Sequence, residues 1–514
     1  MTEFSGGPGS VSLWGLVEAA ARARPDDIVL ADDHGRSLTT AAFRDAAERA
    51  AAGLLDLGVR PGDALSWQLP TILEAPVLMA ACARLGVTQN PLIPVLRERE
   101  VGFIVDQVGP RLLVVPETWR GFAHGEMARA LGPQALVLDL EGTPGPGIRL
   151  PAGDPGALPP ATAAGEPRCR WIYYTSGTTA DAKGARHTDA SVLQAARNVI
   201  ERHHKGPADV SPAAWPFAHI GGVSTLGSVL IAGGRMVMFE SFDPATTPER
   251  MAAHRPTILG SATPFFHAYI AAQRRHGGPG PLFPDVRVCI SGGAAVPEPV
   301  NREVAEVLGV PGVIGAWGLT EFPVASSETP DDPRLGSTVG RPTEGVRVRI
   351  VDGELRLKGP QCFLGYVDAS LDAEAFDEDG WFRTGDLGEV HGDGRISITG
   401  RLKDVIIRNA ENISALDVEN ALLTHPDVAD AAVVGVPDAR TGERVCAVVV
   451  ARPGGPEVTL AGLSRHCLAE GLARFKTPER LVVVDRLPRN PMGKILKNEL
   501  RAAALESAAK PEKP

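Results

Sequence analysis

Tyr173-Tyr174-Thr175-Ser176-Gly177-Thr178-Thr179-Ala180-Asp181-Ala182-Lys183-Gly184 is the stretch on which the reading of this chain turns. It continues the strand-like run 169–174 and packs four aliphatic hydroxyls, two glycines and one lysine into a short span. Hydroxyls and exposed backbone N–H groups donate to phosphate oxygens, glycine lets the backbone approach a ligand, and lysine adds a point charge. A Ser/Thr-rich surface turn has the same composition, so composition alone leaves both readings open. Lys183 is not followed by Ser or Thr after a GxxxxGK pattern, which excludes a Walker A loop.

Around that stretch lies a chain of 514 residues, too long for one ordinary hydrophobic core, so two or more domains are expected. Hydrophobic residues make up 44% and charged residues 22%, within the range of globular proteins. The net charge of −10 lends no support to nucleic-acid binding or to docking on an anionic membrane. Cys82, Cys169, Cys289, Cys362, Cys446 and Cys467 form no CxxC pair and no zinc spacing, so buried reduced thiols are expected. The opening MTEFSGGPGS lacks the basic and apolar regions of a signal peptide, and no apolar run approaches a membrane span. These features predict a cytoplasmic enzyme.

Helical periodicity runs over 13–24 and 40–57, and a buried helix is predicted over 77–85. Strands are predicted over 26–33, 64–69 and 111–115, giving the alternation of an α/β architecture with buried sheets and flanking helices. Segment 143–167 is rich in Pro, Gly and Ala and reads as a connecting loop. A second loop, 277–284, precedes a strand over 286–291, and the pattern turns β-rich over 346–351, 354–358 and 396–399. Beyond Gly400 a helix (415–423), strands (428–435 and 445–451) and a helix (460–472) suit a small α+β domain. The predicted organisation is a large α/β domain over 1–400, a hinge at 401–404 and a small domain over 405–514 with a polar, disordered tail ESAAKPEKP.

The order of residues in the Tyr173–Gly184 stretch resembles the signature loop of the adenylate-forming superfamily: acyl-CoA synthetases, firefly-type luciferases and peptide-synthetase adenylation domains. The usual form is YTSGTTGxPKG; here Ala180 replaces a glycine and Ala182 the proline. Six further segments follow in the family's order, so that seven lie across about 320 residues. Trp215-Pro216-Phe217-Ala218-His219-Ile220-Gly221-Gly222 is similar to the segment whose histidine lies against the carboxylate and adenylate. A lone histidine in an apolar run is more often core; the resemblance makes His219 a site candidate. No acidic residue stands there to meet an α-amine, which disfavours an amino-acid substrate.

Ser291-Gly292-Gly293-Ala294-Ala295-Val296-Pro297 resembles the turn along which adenine packs, with Gly293, Ala294 and Ala295 against the base. Trp317-Gly318-Leu319-Thr320-Glu321 resembles the YGxTE motif. The resemblance implies Trp317 stacked on adenine with Gly318 and Leu319 beside it, Thr320 on the α-phosphate and Glu321 on Mg²⁺, a hard cation suited to carboxylate. Trp381-Phe382-Arg383-Thr384-Gly385-Asp386-Leu387 and Gly400-Arg401-Leu402-Lys403-Asp404 imply that Asp386 and Arg401 hold the ribose and that Lys403 is the pivot of the small domain. Leu487-Pro488-Arg489-Asn490-Pro491-Met492-Gly493-Lys494-Ile495 implies Lys494 as the catalytic lysine. Thr175, Ser176, Gly177, Thr178, Thr179 and Lys183 would hold the departing phosphates.

The implied reaction uses ATP and Mg²⁺ to convert a carboxylic acid into an acyl-adenylate with release of pyrophosphate, then transfers the acyl group to coenzyme A. An acyl pocket is expected from Phe217, His219, Gly221, Gly222, Gly292, Leu319 and Ala325, with room for a fatty, aryl or alicyclic acid. One departure bears on the second step: Ala410, in Ile407-Arg408-Asn409-Ala410-Glu411-Asn412-Ile413, replaces a glycine that lines the pantetheine tunnel in CoA ligases. The alternative is adenylation only, with acyl-AMP passed to a carrier protein or separate ligase. No nucleic-acid partner is expected, and a homodimer is compatible with the reading.

Overall fold

The computed structural model of the protein describes residues 12–142, 144–162, 168–175, 182–292, 296–409, 411–438, 440–490 and 493–508. Its first half is built on a six-stranded sheet in the order Gln134–Leu138, Leu112–Pro116, Ala64–Trp67, Thr88–Pro91, Trp171–Thr175, Lys183–His187. All neighbours are parallel except the last two, which form an antiparallel pair around the Thr175–Lys183 connection. The strands are apolar runs because helices cover the sheet; every residue of Leu112–Pro116 is buried. The helices Thr40–Asp56 and Glu74–Leu85 pack on each other within the same core.

A second sheet, ordered Ser37–Thr39, Ile28–Asp32, Arg235–Met238, Val210–Ala213, stands beside it. A third begins with three parallel strands, Ile258–Ser261, Val288–Gly292 and Val313–Trp317, and continues antiparallel through Ser326–Ser327 and Arg341–Pro342. The register pairs Ser261 with Ser291 and Gly292 with Ala316, so the carboxyl ends of the three parallel strands lie along one edge. Ligands of α/β sheets bind outside such ends, where side chains and loops are free of the packed sheet. A fourth, antiparallel sheet runs Arg347–Val351, Glu354–Lys358, Phe382–Val390, Ile396–Arg401.

After the short 3-10 turn Leu402–Asp404 the chain builds a separate sheet from Glu411–Ser414, Val405–Arg408, Gly442–Ala451 and Val428–Asp438, with Arg480–Val483 pairing Gly442–Ala451. The helices Ala415–Leu423, Leu460–Ala469 and Lys497–Ala508 accompany it. Its apolar clusters draw only on residues of this segment, the behaviour of a unit with its own core. The architecture is therefore a large α/β domain followed by a small α+β domain. One expectation needs correction: the predicted disordered tail begins inside a helix, since Lys497–Ala508 is helical and buries Leu500 and Ala504. All six cysteines are free, four buried and Cys169 and Cys362 half-buried. Among the described residues no helix is long and apolar enough to cross a membrane.

Candidate active site

Trp317 ends its strand at the carboxyl edge of the three parallel strands, and the chain then folds tightly back. Ala325 N–H donates to the Trp317 carbonyl at 2.8 Å, and Leu319 and Phe322 exchange backbone hydrogen bonds at 3.1 Å. A Cβ on Gly318 would lie 2.5 Å from the Val324 nitrogen, so only glycine permits this crossing. The turn presents Thr320 and Glu321. From the strand end, the Trp317 indole Nε1–H donates to Asp386 Oδ2 at 2.8 Å. Asp386, only 2% exposed, is the direct cross-strand neighbour of Arg401, whose Nε meets Oδ1 at 2.9 Å. Three strands thus bring together an aromatic face, a carboxylate and a guanidinium. Oδ2 accepts the indole hydrogen bond, while Oδ1 is paired in charge with Arg401 but accepts no hydrogen bond, which leaves it an acceptor for a ligand hydroxyl.

The far side of the Glu321 turn is tied to the strand Lys183–His187. His187 is buried, and burial pushes its pKa down to about 4, so the ring is neutral at neutral pH. Its Nε2 meets the Thr320 carbonyl at 2.8 Å and its Nδ1 the Ser191 hydroxyl at 3.0 Å. A carbonyl only accepts, which assigns the proton to Nε2. Segment 364–367 lies along the edge of the same strand: Leu364 N–H donates to Arg186 O at 2.7 Å, Arg186 N–H to Gly365 O at 3.0 Å and Val367 N–H to Gly184 O at 2.8 Å. Tyr366, carried by that segment, donates its hydroxyl to Glu321 Oε1 at 2.7 Å. The Lys183 ammonium sits 5.4 Å from the centre of the Tyr366 ring. Tyr366 was not legible as a site residue; Gly-Tyr at the end of an apolar run reads as core, and it is 45 residues from Glu321 in the chain.

His219 is the N-cap residue of helix Ile220–Ala232. Gly221 N–H donates to its Nδ1 at 3.2 Å, which leaves the proton on Nε2. Burial pushes this ring, too, down to about 4, so it acts as a neutral hydrogen-bond donor. A Cβ at Gly221 would meet nothing closer than His219 Nδ1 at 3.5 Å and the Trp215 ring at 3.7 Å. Gly292 is exposed with nothing within 4 Å, and Leu319 is half-buried. Three expected pocket residues are placed otherwise. Phe217 and Ala325 are 0% exposed and belong to apolar clusters, so they present no surface to a cavity. Gly222 is buried, and a Cβ there would fall 1.9 Å from the Phe217 carbonyl oxygen; its role is close backbone packing rather than room for a substrate. Trp215, half-buried with its ring beside Gly221, offers an aromatic surface there.

Lys494 arrives from the small domain. Its turn is closed by Asn490 and Lys494, with Asn490 N–H to Lys494 O at 2.8 Å and Lys494 N–H to Asn490 Oδ1 at 2.9 Å. Gly493 has φ +81°, and a Cβ on it would lie 2.8 Å from the Ala262 Cβ, so the turn rests directly on the end of the third sheet. Burial, then the positive charges of Arg401 and Lys403, push the Lys494 ammonium down to about 8, partly offset by Asp386 and Asp404. Lys494 therefore shares its surroundings with the Asp386–Arg401 pair. Lys403 stands in the 3-10 turn; burial and Arg401 lower its pKa, and the adjacent Asp404 pairs with Arg501 at 2.9 Å. Three cations gathered around two carboxylates leave a net positive site suited to a polyphosphate.

The structure thus joins Lys494, Asp386, Arg401, Trp317 and Lys403 in one neighbourhood, and Glu321, Thr320 and Lys183 in the one beside it. Thr175 is the last residue of its strand, Trp171–Thr175. Ser176, Gly177, Thr178, Thr179, Gly293, Ala294, Ala295 and Ala410 lie outside the described residues.

Known proteins match this chain over most of its length. Residues 17–367 match the family described as AMP-binding enzyme, and residues 417–494 match the AMP-binding enzyme C-terminal domain. The chain is similar to the medium-chain fatty-acid–CoA ligase of Escherichia coli (strain K12), with 31% identity over 518 residues, 96% of this chain and 90% of that protein. It is similar to the sulfoacetate–CoA ligase of Cupriavidus necator, with 33% identity over 513 residues, 95% of this chain and 97% of that protein. Among solved structures, ATP-bound MatB from Rhodopseudomonas palustris matches with a TM-score of 0.83 at 29% identity, covering 95% of this chain and 98% of that one.

Proposed function

The chain belongs to the AMP-binding enzyme family, and from that premise we propose that it activates a carboxylic acid with ATP as an acyl-adenylate and passes the acyl group to the thiol of coenzyme A. The observation that carries this reading is the convergence of Lys494, from the small domain, on Asp386 and Trp317 of the large one and on Arg401 at the start of the hinge.

In the first step a carboxylate oxygen attacks the α-phosphorus of ATP. The bond from that phosphorus to the bridging oxygen breaks, and pyrophosphate leaves with the electron pair. The approach of two anions is the main obstacle, so preorganised positive charge is what the site has to supply. Lys494 serves this as an ammonium between the acid and the α-phosphate. Asp386 accepts the ribose hydroxyls, Arg401 fixes Asp386, and the Trp317 face takes the adenine, so orientation is set before reaction. Neutral His219 donates through Nε2 at the carboxylate. Thr175, the hydroxyls after it and Lys183 hold the departing phosphates. Glu321 meets no cationic side chain among the described residues, which leaves its charge for Mg²⁺. Glu321 would hold Mg²⁺, a hard cation suited to carboxylate oxygen. Bound there, it would neutralise the phosphates.

In the second step the thiol sulfur of coenzyme A attacks the acyl carbon, the carbon–oxygen bond to AMP breaks, and the thiol proton is released. We assign the large domain to residues 1–400, the hinge to 401–404 with Lys403 as pivot, and the mobile domain to 405–514. Rotation about the hinge would withdraw Lys494 after adenylation and open the thiol path, a hinge-type domain motion. The acyl site takes an acid without a second charge. The stretches 215–225, 258–266, 288–292 and 315–325 contain no lysine or arginine, while Trp215 and Leu319 offer apolar surface. A fatty, aryl or alicyclic acid fits that lining; sulfoacetate, with its second anionic group, does not.

The test is pyrophosphate exchange and thioester formation over a panel of acids, with and without coenzyme A. Lys494→Ala should abolish exchange. Exchange without thioester, with transfer gained in Ala410→Gly, would replace the second half of the reading by adenylation alone. Undiminished exchange in Lys494→Ala would remove the first.

A further inference from the structure

We propose that Tyr366 is a positioning residue that holds the two opposite charges of the triphosphate site, Lys183 and Glu321, apart and ready for a metal–nucleotide complex. The proposal rests on the functional reading above only in taking that site to receive a nucleotide triphosphate. Lys183 and Glu321 touch opposite parts of one side chain. The Tyr366 hydroxyl donates to Glu321 Oε1 at 2.7 Å, and the Lys183 ammonium lies 5.4 Å from the ring centre, within reach of the aromatic quadrupole. Glu321 is 8% exposed and Tyr366 5%, so their bond is sheltered from water.

Elementary electrostatics gives such an arrangement a purpose. A flexible lysine beside a buried carboxylate would close on it, and the resulting pair would neutralise both the metal ligand and the phosphate ligand. Among the described residues Lys183 meets the Tyr366 ring and Glu321 the Tyr366 hydroxyl, and no ion pair joins the two. The aromatic ring gives the ammonium an uncharged seat, and the hydroxyl fixes the carboxylate without cancelling its charge. Backbone pairing of 364–367 with the strand that carries Lys183 keeps the ring in place, and His187 on the Thr320 carbonyl anchors the opposite side of the Glu321 turn.

Calorimetric titration separates this role from a merely structural one, because AMP occupies the adenosine and α-phosphate positions but needs neither Lys183 nor Glu321. In Tyr366→Phe, which keeps the ring and loses the hydroxyl, ATP with Mg²⁺ should bind about tenfold more weakly than to the unaltered chain. In Tyr366→Leu, where the charges can close on each other, the loss should reach about a hundredfold. AMP should bind both variants within about twofold of the unaltered chain. Equal weakening of AMP and of ATP with Mg²⁺ would overturn the proposal in favour of a structural role, and so would unchanged binding of both. If the unaltered chain bound ATP with Mg²⁺ but activated no acid, the functional reading would fail while the titration of the variants still decided this one.

Discussion

Lys494 gives the sharpest test, because its charge and its surroundings make a signed prediction in pH. Burial and the neighbouring Arg401 and Lys403 lower its pKa from 10.5 to about 8, a bias of roughly 3 kcal/mol against the ammonium. Adenylation needs that ammonium, so kcat/KM, which reports the free enzyme, should fall about tenfold per pH step above about 8. Between about pH 7 and about pH 9.5 the protonated fraction drops by about 30-fold, and kcat/KM for ATP–pyrophosphate exchange should drop with it. Bound ATP and carboxylate add negative charge beside the ammonium and raise its pKa, so kcat should hold to higher pH than kcat/KM. The loss is not unfolding driven by this group. Between about 8 and 10.5 the unfolded chain keeps the proton that folded Lys494 has released, so its contribution to stability rises with pH across that window. Lys494→Arg carries a charge that does not titrate and should lose the descending limb, at lower absolute activity. Lys205 is also pushed to about 8, by burial, with its ammonium 3.0 Å from the Ser228 hydroxyl, so Lys205→Met should leave the limb where it is. A flat kcat/KM profile, or the same limb in Lys494→Arg, would refute the assignment of Lys494.

Three further substitutions probe the rest of the site. Trp317→Phe keeps the aromatic face and loses the N–H that meets Asp386 at 2.8 Å; the KM for ATP should rise about tenfold with kcat little changed. A larger fall in kcat than in affinity would show that the indole acts elsewhere. Gly493→Ala sets a Cβ 2.8 Å from that of Ala262 on a residue with φ +81°, so exchange should fall by about tenfold. Thioester formation from supplied acyl-AMP should suffer less, and equal losses would count against a separate position for Lys494 in the second step. Gly222→Ala should destabilise the fold by about 3 kcal/mol, read in thermal or urea denaturation, because its Cβ meets the Phe217 carbonyl at 1.9 Å. An unchanged transition with an altered acid preference would return Gly222 to the acyl pocket.

What could be read from the chain, and what could not, follows from the range over which each residue acts. Buried parallel strands write themselves as apolar runs, so 64–69 and 111–115 predict Ala64–Trp67 and Leu112–Pro116 to within two residues at each end. Helix Lys497–Ala508 is hard to read from sequence because, among its described side chains, only Leu500 and Ala504 are buried, too faint an apolar period among charged neighbours. At the site, residue types were legible where a motif surrounds them, as at Asp386, Arg401 and Lys494. Their mutual geometry was not, since the Trp317–Asp386 bond spans 69 residues and depends on the register that sets Asp386 opposite Arg401. The acyl pocket was the least legible part for a different reason. Apolar residues line both cores and pockets, and nothing in Phe217 or Ala325 as letters separates the two. Only the packing does: Ala325 is held by its N–H on the Trp317 carbonyl, which turns the chain so that the next surface is filled by Phe322. The same turn places Glu321 where Tyr366 can reach it. The packing that removes Ala325 from the pocket is therefore what positions the carboxylate, and a substitution that enlarges Ala325 acts on Glu321 before it acts on the choice of acid.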